Sequence, residues 1–75
     1  MNNHDIRQEL QYRLEQGVKS NYLSSYVNKI YFDFDSDIMI IELKPGENKG
    51  DFYEKLVDNR ILQKNDQISI VNSKV

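Results

Sequence analysis

The 75-residue sequence has no cysteine, tryptophan, alanine or threonine, and only one proline, one histidine and three glycines. Without cysteine there is neither a disulfide nor a thiolate zinc site to supplement a small core. With a single imidazole, His4, and no thiol, neither Ser24 nor Ser25 has a recognisable triad, and the H-x-x-x-H spacing of zinc hydrolases does not occur. His4 lies in a polar N-terminal segment and is expected to be simply exposed. Long hydrophobic runs are also missing. The longest, Ile38-Met39-Ile40-Ile41, falls far short of the roughly 20 residues of a membrane span, and the polar N-terminus has no signal-peptide apolar segment. These absences point to a soluble, cytoplasmic protein with no membrane partner.

A large excess of one charge is lacking as well: 10 basic against 12 acidic side chains leave a formal charge of −2. General attraction to nucleic acid or anionic lipid needs a basic excess, so direct nucleic-acid binding is not expected. A chain of this size buries only roughly 60% of its unfolded surface, which leaves room for one domain with one thin core and no deep cleft. No oriented set of acid, base and nucleophile is visible. The expectation is therefore a non-enzymatic protein with no cofactor and no metal.

What the sequence does contain is asparagine (8), isoleucine (8), lysine (7) and tyrosine (5), the bias of an AT-rich gene. Genes of that type are common in low-GC bacteria and their mobile elements, which suggests a bacterial or phage-type origin.

Residues 5–16 show a helical stripe of Ile6, Leu10 and Leu14, with Asp5 as N-cap, a Glu9–Arg13 pair at i,i+4 and Gly17 as the C-terminal stop. Residues 18–28 form an irregular connection. Tyr22, Leu23, Tyr26 and Val27 need a surface to cover, and the nearest is one face of the sheet that follows. From 29 to 44 the period changes to two, marking a β-hairpin. An even loop pairs Lys29 with Glu42, Tyr31 with Ile40 and Asp33 with Ile38. Ile30, Phe32 and Phe34 then share the other face with Met39, Ile41 and Leu43. An odd loop would bury Glu42 unpaired at a cost of several kcal/mol, so the even loop is expected, with two or four residues at its tip.

Pro45-Gly46 suits the centre of a type II turn. Asp51 to Glu54 reads as a capping box opening a helix over 51–60 with Phe52, Leu56 and Val57 on one face. Ile61-Leu62 is a candidate short strand, 67–71 reads as a strand and 72–75 as a frayed tail. The order α-β-β-α-β defines one small α+β domain over 1–75, with a mainly antiparallel sheet and helices packed on it.

Asp33-x-Asp35-x-Asp37 resembles the start of an EF-hand loop, but Ile38 stands where glycine is needed and Lys44 where the bidentate glutamate belongs, so that reading fails. Gly46 to Gly50 precedes a helix without either glycine-rich phosphate motif, and negative side chains already occupy the first turn. Segment charges are 0 for 1–28, −2 for 29–44 and 0 for 45–75. The one acidic concentration is therefore the hairpin. Tyrosine supplies a large rigid contact area at low entropy cost. The expected partner-binding residues are Tyr31, Asp33, Asp35, Asp37, Ile38, Ile40 and Glu42: an apolar centre with an acidic rim. The resulting expectation is a protein-binding accessory or inhibitor that occupies a partner's surface, in its sharpest form by presenting carboxylates where nucleic-acid phosphates would lie. The alternatives are a structural subunit forming a homodimer through the hairpin face or the Ile38–Leu43 edge, and a small nucleic-acid binder.

Overall fold

The computed structural model describes residues 3–74, with side chains from Ile6 onward. The exposure expected of His4 lies outside the described side chains, whereas Asp5 stands inside the first helix, which starts at Asn3, and so is not its cap. Helix α1 spans Asn3–Ser20 and leads through a 3-10 turn, Ser24–Tyr26, into strand β1, Val27–Asp33. Strand β2, Ile38–Leu43, helix α2, Lys49–Asp58, and strand β3, Ile68–Asn72, complete the chain. The three strands lie in the order β1-β2-β3. This is the α+β architecture of the sequence reading with one correction. β1 and β2 are antiparallel but β2 and β3 are parallel, so the sheet is mixed. The 24-residue gap between β2 and β3 carries α2, and a parallel pair requires such a crossover.

Both helices pack on the same face of the sheet. Leu14 and Val18 of α1 and Phe52 and Leu56 of α2 form one core with Met39, Ile41 and Leu43, and the half-buried Ile30, Phe32, Ile68 and Ile70 border it. The stripe on α1 therefore runs one turn further than 5–16. Its first member, Ile6, is 52% exposed while Leu14 is fully buried.

Gly17 does not end α1. The helix closes with Asn21 as C-cap and Tyr22 in the left-handed region (φ 60°), with Leu23 N–H donating to Val18 O and Tyr22 N–H to Lys19 O. This is a Schellman closure, whose apolar clasp here joins Leu23 to Val18. α2 ends in the same way: Arg60 has φ 58°, Ile61 N–H donates to Leu56 O, and Ile61 is buried beside Leu56. Ile61-Leu62 is thus the end of a helix cap and not a strand. Gly17 has a packing role instead, because a Cβ there would lie 2.7 Å from Ile61 Cγ2 and 2.9 Å from its Cγ1. Gly17→Ala is expected to destabilise the domain by about 1–2 kcal/mol in urea titration. The overpacking cost exceeds the roughly 1 kcal/mol gained in helix propensity.

The hairpin register is the even one: Lys29↔Glu42, Tyr31↔Ile40 and Asp33↔Ile38, with residues 34–37 as a four-residue loop. Phe34 lies in that loop, 75% exposed, and not on the core face. The Lys44–Glu47 turn has Gly46 at φ 85° and a Glu47 N–H to Lys44 O bond, the type II geometry expected of Pro45-Gly46. α2 begins at Lys49 because Asn48, not Asp51, is the cap: its Oδ1 accepts the Asp51 N–H at 2.9 Å. Asp51 takes the third helical position, where its negative charge faces the positive end of the helix dipole. Val57 is 47% exposed and stands apart from the Phe52–Leu56 core stripe. Asn72 belongs to β3 and Ser73 N–H donates to Leu43 O, so neither residue is part of the frayed tail expected over 72–75.

Candidate functional site

Side chains alternate across a strand, so the register that places Met39, Ile41 and Leu43 under the helices sends Ile38, Ile40 and Glu42 to the opposite face. Across β1 that face continues with Asp33, Tyr31 and Lys29, and across β3 with Ser69 and Val71, which pair with Ile40 and Glu42. Both helices lie on the other side. Of the irregular connection expected over 18–28, residues 18–20 belong to α1 and 27–28 to β1, and the 21–26 remainder does not cover this face: Leu23 enters the helix-side core, Tyr26 packs edge-on to Phe52 at 6.2 Å, and Tyr22 is 90% exposed. The face is consequently an open platform across all three strands.

Its centre is apolar. Ile40 retains 8% exposure because it sits on the middle strand between Tyr31 and Ser69, whereas Tyr31 is 37% exposed. The Lys29 ammonium lies 4.9 Å from the Tyr31 ring centroid, which fixes the ring against the sheet through cation–π attraction. One end of the platform is polar. Asn28, at the register irregularity of β1, donates to Glu42 Oε2 at 2.7 Å and to Ser73 Oγ at 3.0 Å. Hydrogen bonds from Asn28 and Ser73, with a smaller attraction from Lys29, hold the Glu42 carboxyl below its ordinary pKa.

The three aspartates of the hairpin diverge. Asp33 turns into the loop, accepting the Asp35 N–H at 3.1 Å and the Ser36 hydroxyl at 2.8 Å. Asp37 adopts φ 59° and reaches the helix side, where Arg7 Nη2 binds its Oδ1 at 2.7 Å. The same guanidinium lies 4.5 Å from the Phe32 ring centroid, and Phe34 meets Phe32 edge-on at 5.0 Å. Tyr31, Ile38, Ile40 and Glu42 thus share one face, Asp33 stands at its corner, Asp37 turns to Arg7 on the helix side, and Asp35 belongs to the loop beyond the paired strands. Among the described residues no group of three or more potential metal ligands comes together.

No protein family, characterised protein or solved structure matches the chain. Its candidate site therefore rests on its own geometry.

A concavity of about 530 Å³ lies on the helix side between α1, the hairpin loop and residues 63–67. It contains two arginines, both already engaged. Arg7 is paired with Asp37, and Arg13 forms a two-pronged contact with Asp66, Nη1 to Oδ2 and Nη2 to Oδ1, each 2.8 Å. Arg13 Nη1 also donates to Ile61 O at 2.9 Å, so this side chain ties α1 to the segment after α2 rather than pairing with Glu9. Its charge is spent internally, which makes the concavity a poor anion site.

Sequence reasoning placed Lys29 on this face with Glu42, but missed Ser69 and Val71 as members of it. The alternation of Gln67 to Val71 marks them as strand residues, but only pairing with β2 assigns their side. No helix among the described residues is long and apolar enough to cross a membrane.

Proposed function

We propose that this chain is a protein-binding module whose contact surface is the open face of its sheet, centred on Tyr31, Ile38, Ile40 and Val71. The observation that supports it best is that both helices, with Leu23 and Tyr26 of the 21–26 connection, pack on the opposite face, leaving an apolar-centred, polar-rimmed platform. That is the anatomy of a protein interface: a tyrosine anchor over a rigid floor, bordered by Lys29, Asp33 and Glu42. Binding through this face needs no catalytic group, and the module acts by occupying a partner's surface. The acidic hairpin is a weaker candidate for the contact, since Asp37 is paired with Arg7 and Asp33 holds its own loop.

Two variants separate the apolar face from phosphate mimicry. Tyr31→Ser with Ile38→Ser is expected to weaken capture of a specific partner from native-host extract by about tenfold or more, since central tyrosines are frequent hot spots. Replacing Asp33, Asp35 and Asp37 together with asparagine is expected to leave the same partner bound. Capture lost with the asparagine variant and kept with the serine variant would overturn the proposal in favour of acidic mimicry. Partner identity is read by mass spectrometry, and circular dichroism verifies that both variants are folded.

A further inference from the structure

β2 is flanked on both sides, so the Ile38–Leu43 strand is not an edge and cannot be the assembly edge that its sequence suggests. The two true edges, β1 and β3, differ in how they are protected. Along β1, Gln11 Nε2 donates to Ile30 O at 3.1 Å, occupying an outward carbonyl, and the pairing is irregular between Val27 and Lys29. Side-chain capping and bulges are the usual means of blunting an edge. β3 has neither. Ile68-Ser69-Ile70-Val71-Asn72 contains no charge, no proline and no register shift. Ser73 N–H donates to Leu43 O, and peptide groups alternate along a strand, so residues 69, 71 and 73 direct their backbone groups to β2. Ile68, Ile70 and Asn72 direct theirs outward, and among the described residues no side chain caps Ile68 or Ile70 as Gln11 caps Ile30.

The same flank carries an unused apolar stripe. α2 packs over β3, and both Phe52 and Lys55 approach Tyr26, which leads into β1, with Lys55 Nζ 5.9 Å from the Tyr26 ring centroid. At about 100° per residue Tyr53 and Val57 lie roughly 200° around the helix from Lys55. They therefore project away from β1, above the outer side of β3, and are 51% and 47% exposed.

We propose that the β3 edge and the Tyr53–Val57 stripe together bind a second copy of this chain, β3 pairing antiparallel with its symmetry mate about Ile70. That register is self-complementary. Ile70 meets Ile70 of the mate and the two exchange both backbone bonds. Ile68 meets Asn72, and on the open face Ser69 meets Val71. Beyond the strand Lys74 reaches the level of Asp66, so no like charges are opposed. A two-fold axis perpendicular to the sheet keeps all four helices on one side, with the stripes of the two α2 helices facing each other over the new seam. The two open faces become one six-stranded platform. This inference does not depend on what that platform binds.

The full chain is measured by light scattering across a concentration series. The mass is expected to rise from the 8.9 kDa of one chain toward twice that value. Ile70→Pro removes an outward N–H that β2 does not use, and prolines are tolerated at such edge positions. Val57→Glu changes an exposed residue outside the core. Each is expected to weaken self-association by about tenfold or more, while Tyr31→Ser leaves it unchanged. Because the chain has no cysteine, Ser69→Cys and Val71→Cys chains are expected to form a disulfide-linked pair when mixed, and far less when either is oxidised alone. A monomer at every concentration, association unaffected by both Ile70→Pro and Val57→Glu, or cross-linking no greater in the mixture would each overturn the proposal.

Discussion

Ile41→Ala is expected to cost about 3–4 kcal/mol and to shift the urea midpoint strongly without changing the slope of the transition. Ile41 is fully buried at the middle of β2, paired with Ile30 on one side and Ile70 on the other, and lies beneath both helices. No neighbouring element can collapse into the space, because the strands on either side are hydrogen-bonded in place and Leu14, Met39 and Leu56 are themselves without exposure to spare. A domain of this length has a total stability of only about 4–11 kcal/mol, so the single substitution removes a large share of it. The companion measurement is Tyr31→Ser, one strand away on the opposite face. It is expected to leave the urea midpoint within about 1 kcal/mol of the parent, since a partly exposed side chain is truncated and no cavity forms. A contrast between these two variants separates what holds the fold from what faces a partner.

The second large effect belongs to Arg13 and Asp66. Arg13→Ala is expected to destabilise the domain at neutral pH by about 2 kcal/mol, within the range for hydrogen bonds to charged groups. The loss has three parts. The two-pronged contact with Asp66 disappears, Ile61 O loses a donor, and the Asp66 carboxylate, with a side chain only 11% exposed, keeps just the Gln63 N–H at 2.8 Å.

The pH dependence has a defined sign. Hydrogen bonds from Arg13, then from Gln63, hold the Asp66 carboxyl below its ordinary pKa against the opposing effect of burial. A carboxyl with a depressed folded-state pKa contributes stability that is present above its unfolded value, about 3.9, and is lost as pH falls through the folded value. The gap in stability between parent and Arg13→Ala is therefore expected to be constant from pH 7 to about 5 and to narrow in more acidic solution. Urea titrations of both proteins over that range provide the check. A gap that stays constant down to pH 2 would mean that Asp66 does not carry the effect.

Much of this architecture was legible along the chain because it depends on neighbours close in sequence. The Leu10–Leu14 spacing marks the buried side of α1, and the Pro45-Gly46 dipeptide marks its turn. The Lys29–Glu42 pairing follows from the cost of burying one carboxylate. The errors share a different cause. α1 continues past Gly17 because Val18 and Leu23 clasp each other inside a core that the helix alone does not possess, and Gly17 is small because Ile61 arrives from 44 positions later. Asn48 displaces Asp51 as the cap because both are competent capping residues three positions apart, and the choice follows from where the type II turn delivers the chain. Phe34 leaves the core face because the even register ends β1 at Asp33. Within the candidate site, period-two alternation placed Tyr31, Ile38, Ile40 and Glu42 together from sequence. Asp37 departed because its partner, Arg7, lies 30 residues away on α1.

The amino-acid sequence by itself determined the class of every long element and the two-sided character of β2, whose Ile38-Met39-Ile40-Ile41 run is apolar on both faces. It left open what would cover the second of those faces, because burial of a sheet face is a contact between segments distant along the chain and local periodicity carries no record of it. Tertiary structure decided that point. Leu23 and Tyr26 of the 21–26 connection pack with the helices, α2 carries the chain across to a parallel β3, and the apolar surface around Tyr31 and Ile40 is left facing outward. The physical reason is that two helices and one connection close a single layer over a three-stranded sheet, and no further segment among the described residues forms another.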